Sequence, residues 1–295
     1  MSVPYQFSVI EKALIAAAVA LTLVVWPGDL MATTAPVRTV AMTNRVAETP
    51  FPGSPQAIGS AANGCLSGAM SLPLSGPGWE ALRPGRNRNW GHPALIAFIR
   101  DLAGRTSGLG QMQIGDIAQP RGGHMTSGHG SHQTGLDVDI FYRLADQPLS
   151  DQERAEPQME SVVAEDGSLI PELWGDAQLA LLKTFASDPR VERIFVNPVI
   201  KRALCDIAGG DRAWLRVIRP WWGHDDHFHV RIQCPDGNGD CIPGPPLPPG
   251  DGCGAELQSW ITSGDWKGLP RLPLPTQHAH RPEMPAACRA IISAF

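Results

Sequence analysis

The chain has 295 residues, 43% of them hydrophobic and 18% charged, with a formal net charge of −5. That is enough apolar material for one large core or two small ones. The Lys and Arg residues are scattered, which argues against a nucleic-acid partner, because phosphate binding needs a basic face to replace counterions.

Lys12 precedes an apolar run from Ala13 to Trp26, closed by Pro27 and Gly28. This run is short for a membrane span, which needs ~20 residues, and suits the apolar region of an export signal. Residues 1–32 are read as a signal peptide, with cleavage near Ala32 or Ala35; the run also fits an uncleaved N-terminal anchor. Residues 33–60, rich in Thr, Pro, Ala and Ser, read as a flexible lead-in, and 61–295 as a single domain with a Pro-rich tail. A helix is expected over 90–104, with Pro93 in its first turn and Leu95, Ile96, Ile99 and Leu102 on one side. Gln111–Ala118 reads as a strand, then comes a Gly/His-rich loop from Gly122 to Gly135. Leu136–Phe141 alternates as a strand. Residues 143–171 read as a polar surface insertion, Gln178–Ala186 as a helix and Val191–Val196 as a strand. Asp211–Arg219 fits a short helix or a strand. Phe228, Val230 and Ile232 alternate with His227, His229 and Arg231 in a last strand, and beyond Pro235 the chain is Pro/Gly-rich. Helices and strands mix without a βαβ rhythm, so the fold class is α+β, with a mostly antiparallel sheet, flanking helices and long disulfide-pinned loops.

None of the six cysteines forms a C-x-x-C pair, which argues against a thiolate metal site. An even count behind an export signal favours disulfides in an oxidising compartment. Fifteen pairings of six cysteines are possible; the short Cys234–Cys241 loop favours that bridge.

Histidine and aspartate concentrate in two segments, His129-Gly-Ser-His132 through Asp137-Val-Asp139, and His224-Asp225-Asp226-His227-Phe228-His229. Side chains alternate along a strand, so Asp137 and Asp139 share one face of theirs, and His227, His229 and Arg231 share one face of the other. If the strands are neighbours, these polar faces converge. Zn²⁺ accepts imidazole nitrogen and carboxylate oxygen, and a catalytic site has three protein ligands and an open position. His132, Asp139 and His229 supply that set. A single strand histidine is more often a structural or surface residue than a ligand, and Asp137 and Asp139 alone also fit a solvated strand face; H-x6-D followed by H-x-H, each on a polar strand face, is harder to explain that way. Trp221 and Trp222 either wall a cleft or belong to the core. Asp236–Asp240 imitates the start of a calcium loop but lacks its glycine and glutamate, so it reads as a turn. Ser131 lacks the G-x-S-x-G elbow of serine hydrolases. His278 and His280 read as exposed.

GHGSHQTGLDVDI (128–140), RIFVNPVIK (193–201), HDDHFHVRIQCP (224–235) and GDGCGAELQSW (250–260) resemble the penicillin-insensitive murein endopeptidases, of the lysostaphin/D-Ala-D-Ala peptidase/hedgehog metallopeptidase group. The resemblance runs from about Cys65 to Cys288. It implies a periplasmic zinc enzyme whose metal is held by His132, Asp139 and His229, with His227 as base or transition-state stabiliser and His129 and His224 as further active-site histidines. The implied substrate is peptidoglycan, cleaved at D-alanyl–meso-diaminopimelyl cross-links by metal-activated water. The family's cystine pattern implies Cys65–Cys288, Cys205–Cys253 and Cys234–Cys241. Some relatives hold a second metal through positions matching His129, Asp166 and Leu169, and the leucine departs from that pattern. Asp137 or Asp225 is expected to orient a histidine, and the roles of His224 and His227 are exchangeable at this level. Two other functions fit the same residues: a D,D-carboxypeptidase, with Arg121 or Arg231 clamping the substrate carboxylate, and a non-catalytic zinc-stabilised wall-binding protein.

Overall fold

The computed structural model describes residues 46–264, 266 and 283–294. The segment read as an export signal, the first part of the lead-in, His278 and His280 lie outside the described residues. Strands β1 (Gln56–Ser60) and β2 (Asn63–Ser67) form a hairpin, followed by β3 (Met70–Ser71), β4 (Ser75–Gly76), β5 (Trp79–Ala81) and β6 (Trp90–Gly91). Helix α1 (Pro93–Thr106) leads to β7 (Gln111–Ile114) and β8 (Asp137–Ala145), then α2 (Asp151–Ala155), α3 (Asp176–Ala186), β9 (Val191–Val196), α4 (Pro198–Ile207), β10 (Ile218–Pro220) and β11 (His227–Ile232). Helices α5 (Ala255–Ser263) and α6 (Ala286–Ser293) end the described chain.

The class is α+β. Seven strands form the main sheet in the order β10-β9-β11-β8-β7-β5-β4. Only β10/β9 and β5/β7 pair in parallel. The alternation of β8 and β11 explains the core. Val138, Ile140 and Tyr142, with Phe228, Val230 and Ile232, enter one apolar cluster with Leu95, Phe98, Ile99 and Leu102 of α1 and Phe185 of α3. The helix expected over 90–104 starts three residues later, after β6, and runs to Thr106: His92 caps it by accepting the Ala94 N–H at 3.1 Å, and Pro93 supplies a preset first turn. It meets α3 through an edge-on Phe98–Phe185 pair 5.6 Å apart.

Several elements differ from the sequence expectation. Residues 56–60 of the expected lead-in form β1, which buries Ala57 and Ile58 and pairs along its length with β2. The strand expected over 111–118 ends at Ile114, and the β7/β8 register shifts between Met112 and Ile114. The 143–171 insertion contains α2 and buries Val162, whose N–H is held by the Asp225 carbonyl at 2.7 Å. Asp211–Arg219 is a short 3-10 helix, Ala213–Val217, running into β10. The Pro-rich tail carries two helices, α5 and α6, each anchored through a cystine. Cys65–Cys288 ties β2 to α6, Cys205–Cys253 ties α4 to the approach of α5, and Cys234–Cys241 closes a short loop after β11. Among the described residues, no helix is long and apolar enough to cross a membrane.

Candidate functional site

Strands β8 and β11 pair antiparallel with His229 opposite Asp139 and Arg231 opposite Asp137. The face opposite the core is itself buried: Asp137, Asp139, His132 and His229 are all 4% exposed or less. His132 comes from the loop before β8, in a left-handed backbone conformation (φ 65°). That conformation costs a non-glycine residue about 1–3 kcal/mol and is retained when the surroundings enforce it. The enforcement is visible. Gln133 accepts from the Gly64 N–H (3.2 Å) and donates to the Ala62 carbonyl (2.7 Å), and Gln119 donates to the carbonyls of Gly122 and His124. At Gly122 (φ 63°) a Cβ would collide with the Gln133 carbonyl oxygen, so only glycine permits this closure.

Three donor atoms converge. His132 Nε2 lies 3.1 Å from His229 Nδ1 and 3.3 Å from Asp139 Oδ1, and His229 Nδ1 lies 3.4 Å from the same oxygen. A tetrahedral zinc site with bonds near 2.0–2.2 Å has donor–donor edges of about 3.3–3.6 Å, so the triangle comes within about 0.2 Å of the dimensions of one coordination face. The outer nitrogens fix the tautomers. His132 Nδ1–H donates to the Ile117 carbonyl (2.6 Å) and His229 Nε2–H to Asp137 Oδ1 (2.8 Å), which turns both lone pairs toward Asp139. Asp139 Oδ1 is buried without a hydrogen-bond partner, a position that a cation satisfies. Burial alone would raise the Asp139 carboxyl, but the adjacent His132 and His227 outweigh it and hold it well below the usual range.

His129, His132 and Asp139 also form a group able to hold a metal. His129, however, meets the other carboxylate oxygen, Oδ2, at 3.6 Å, and its Nε2 is engaged by Asp116 Oδ2 at 3.0 Å. The tighter triangle is the one completed by His229. Asp116 was not singled out in the sequence. Buried at the end of β7, it also accepts from Arg88 (2.7 Å) and Arg86 (3.1 Å), and Arg88 reaches on to Thr126 and Ser127. Burial favours protonation of Asp116, but the bonds from His129 and Arg88 prevail and keep it ionised. Asp166 lies apart on an exposed turn, accepting from the Ser168 N–H and hydroxyl at 2.9 and 2.6 Å.

Two further histidines flank the triangle. His227 Nε2 is 3.7 Å from Asp139 Oδ1, and its Nδ1 bonds Asp226, the residue next to the expected Asp225. Burial lowers the His227 pKa, yet Asp139 and Asp226 overcome this and raise it. His224 (φ 53°) donates through Nδ1 to the Trp222 carbonyl at 2.9 Å. Its pKa is pushed down to about 3, first by burial and then by His227 and His229, so it is neutral at neutral pH. Its ring is 5.0 Å from that of His227 and 6.0 Å from that of His229. Asp137 is the orienting carboxylate expected, shared between His229 and Arg231 Nε (2.6 Å). Burial would raise it, but Arg231 and His229 hold it well below the usual carboxylate range. Arg121 is likewise engaged, donating to the carbonyls of Thr49, Ile291 and Ala294. Arg83 was also missed in the sequence. It adopts a left-handed conformation and lies 5.8 Å over the Phe141 ring, which is 5.5 Å from that of His227.

The chain is thus an α+β protein with a buried His/Asp centre where β11 and β8, the third and fourth of seven strands, lie side by side. The comparisons narrow it. A family model for penicillin-insensitive murein endopeptidases matches residues 57–293. A protein of that name from Yersinia enterocolitica is 46% identical over 246 residues, covering 82% of this chain and 87% of the relative. One from Klebsiella pneumoniae is 45% identical over 249 residues (82% and 88%), and one from Yersinia pestis 46% over 246 (82% and 87%). The chain belongs to the penicillin-insensitive murein endopeptidase family.

Proposed function

We propose that this chain is an exported, zinc-dependent murein endopeptidase that hydrolyses the D-alanyl–meso-diaminopimelyl cross-links of peptidoglycan in the periplasm. The observation that carries the reading is the triangle of His132, Asp139 and His229, with edges of 3.1–3.4 Å and both lone pairs turned inward, in a member of this family. These three residues are the ligands. Zinc would supply Lewis acidity to water and to the scissile carbonyl. His227, held by Asp226 and 3.7 Å from Asp139, stabilises the oxyanion and delivers a proton to the leaving amine. His224, neutral and fixed by the Trp222 carbonyl, offers Nε2 as an acceptor to the attacking water. Arg83, stacked over Phe141 beside His227, is the cation we assign to the carboxylates of the wall peptide. Export through residues 1–32 agrees with three disulfides, which form in oxidising compartments.

The test is digestion of purified cross-linked murein by zinc-loaded protein, His227→Ala and His229→Ala, following dimeric muropeptides. Wild type is expected to convert dimers to monomers and both variants to fail. Persistent dimers with wild type overturn the reading. Trimming of monomeric pentapeptides alone would assign a D,D-carboxypeptidase, and murein binding without any cleavage a wall-binding protein.

A further inference from the structure

Trp221 and Trp222 are 38% exposed each, with rings stacked 4.4 Å apart at 28°. Trp260 of α5 joins them at 5.8 and 6.1 Å. Three indoles clustered at a surface call for an explanation, since large apolar side chains grouped in the open mark contact sites more often than packing. The cluster continues into the site already described. Phe195 of β9 lies 5.3 Å from Trp221 on one side and 5.5 Å from the His229 ring on the other. The support is rigid. The Trp221 N–H bonds the Val196 carbonyl (2.9 Å), Asn197 holds the carbonyl of Gly223 through its side chain (3.1 Å) and that of His224 through its backbone N–H (3.0 Å), and Cys205–Cys253 fixes the approach to α5.

We infer that Trp221, Trp222 and Trp260 form a platform for the pyranose rings of the murein glycan strand, so that the protein reads the sugar as well as the cross-link. This rests on the murein endopeptidase reading and names a second part of the same substrate. Two observations select the sugar. The first is chemistry: the C–H faces of neutral N-acetylhexosamines complement the electron-rich faces of indoles, whereas the stem peptide carries carboxylates that suit Arg83. The second is reach. The ring-to-ring steps of 5.5, 5.3 and 4.4 Å put the outer indole within about 15 Å of the His229 ring. Three to four extended residues, the stem between scissile bond and sugar, span about 10–14 Å. A cross-link seated at His229 therefore brings its own glycan to the indoles.

The experiment compares kcat and KM of wild type, Trp222→Ala and Trp222→Phe on disaccharide-bearing muropeptide dimers and on the same peptide dimers stripped of sugar, with zinc content checked in each. Wild type is expected to favour the sugar-bearing dimer about ten-fold, through KM. Trp222→Ala should abolish that preference, and Trp222→Phe should restore part of it. Separately, neutral N-acetylglucosamine oligomers should quench tryptophan fluorescence in wild type and not in Trp222→Ala. Equal losses on both substrates would assign the platform to the peptide, and self-association abolished by Trp222→Ala would assign it to a second copy; either overturns the proposal, as does an unchanged preference. Failure of wild type on both dimers, with oligomer quenching intact, would instead bring down the endopeptidase reading and leave the sugar platform standing.

Discussion

Replacing Asp137 by Asn removes one charge and leaves the shape. In the native arrangement Oδ1 accepts from His229 Nε2 at 2.8 Å and from Arg231 Nε at 2.6 Å, while Oδ2 is buried with no partner. Asparagine keeps one acceptor but either loses both bonds or puts an NH₂ where nothing accepts, and an unsatisfied buried donor costs about 1–3 kcal/mol. The larger effect is on His229. Its Nδ1 is made basic and aimed at Asp139 by the carboxylate behind it, and loss of such a partner weakens metal affinity about 10–100-fold, or about 1.4–2.8 kcal/mol. Zinc affinity is measured by competition with a chromophoric chelator at neutral pH, beside a thermal melt of the chelated protein to verify folding. A folded Asp137→Asn that binds zinc within three-fold of wild type would refute the argument that the outer hydrogen bond sets the donor.

His227→Ala should lower kcat about 10²–10⁴-fold with zinc stoichiometry unchanged; loss of zinc in parallel would make His227 a ligand instead. Converting Cys205 and Cys253 to Ser releases a crosslink spanning 48 residues, for which chain entropy gives about 4 kcal/mol, and denaturant unfolding showing less than about 1 kcal/mol would contradict a constraining role. Asp188, between Arg190 and Arg105, has its pKa lowered to about 2, first by the Arg190 hydrogen bond. Because the folded value lies below the unfolded 3.8, its contribution is complete above about pH 4 and disappears as pH falls through about 2. With both arginines partly exposed it is worth about 1–2 kcal/mol; Asp188→Asn should flatten that acid limb of the stability curve, and an unaltered limb would disprove it.

What the sequence reveals is what local periodicity encodes. Alternation alone places Asp137 and Asp139 on one face and His227, His229 and Arg231 on another, and the pairing of β8 with β11 brings those faces together. Asp116 escapes notice because an isolated aspartate at a strand end has no local signature; its partners, Arg88 and His129, lie 28 and 13 residues away. Asp226 rather than Asp225 holds His227, and the Asp225 carbonyl accepts from the Val162 N–H, a contact from the insertion that no local pattern announces. The β1–β2 hairpin and α6 are hidden for the same reason. Weakly patterned alone, they bury Ile58 and Ile291 in one small cluster around the Cys65–Cys288 bridge, with Phe51, Met284 and Ile292 packed against it.

The register of β8 against β11 makes the chemistry all-or-none. A slip of one residue in either strand would turn its site-facing residues into the apolar core and bring core residues to the site. Damage to this strand pair should therefore reduce the number of competent molecules and leave the turnover of each survivor unaltered, so active-site titration would fall while activity per titrated site holds constant.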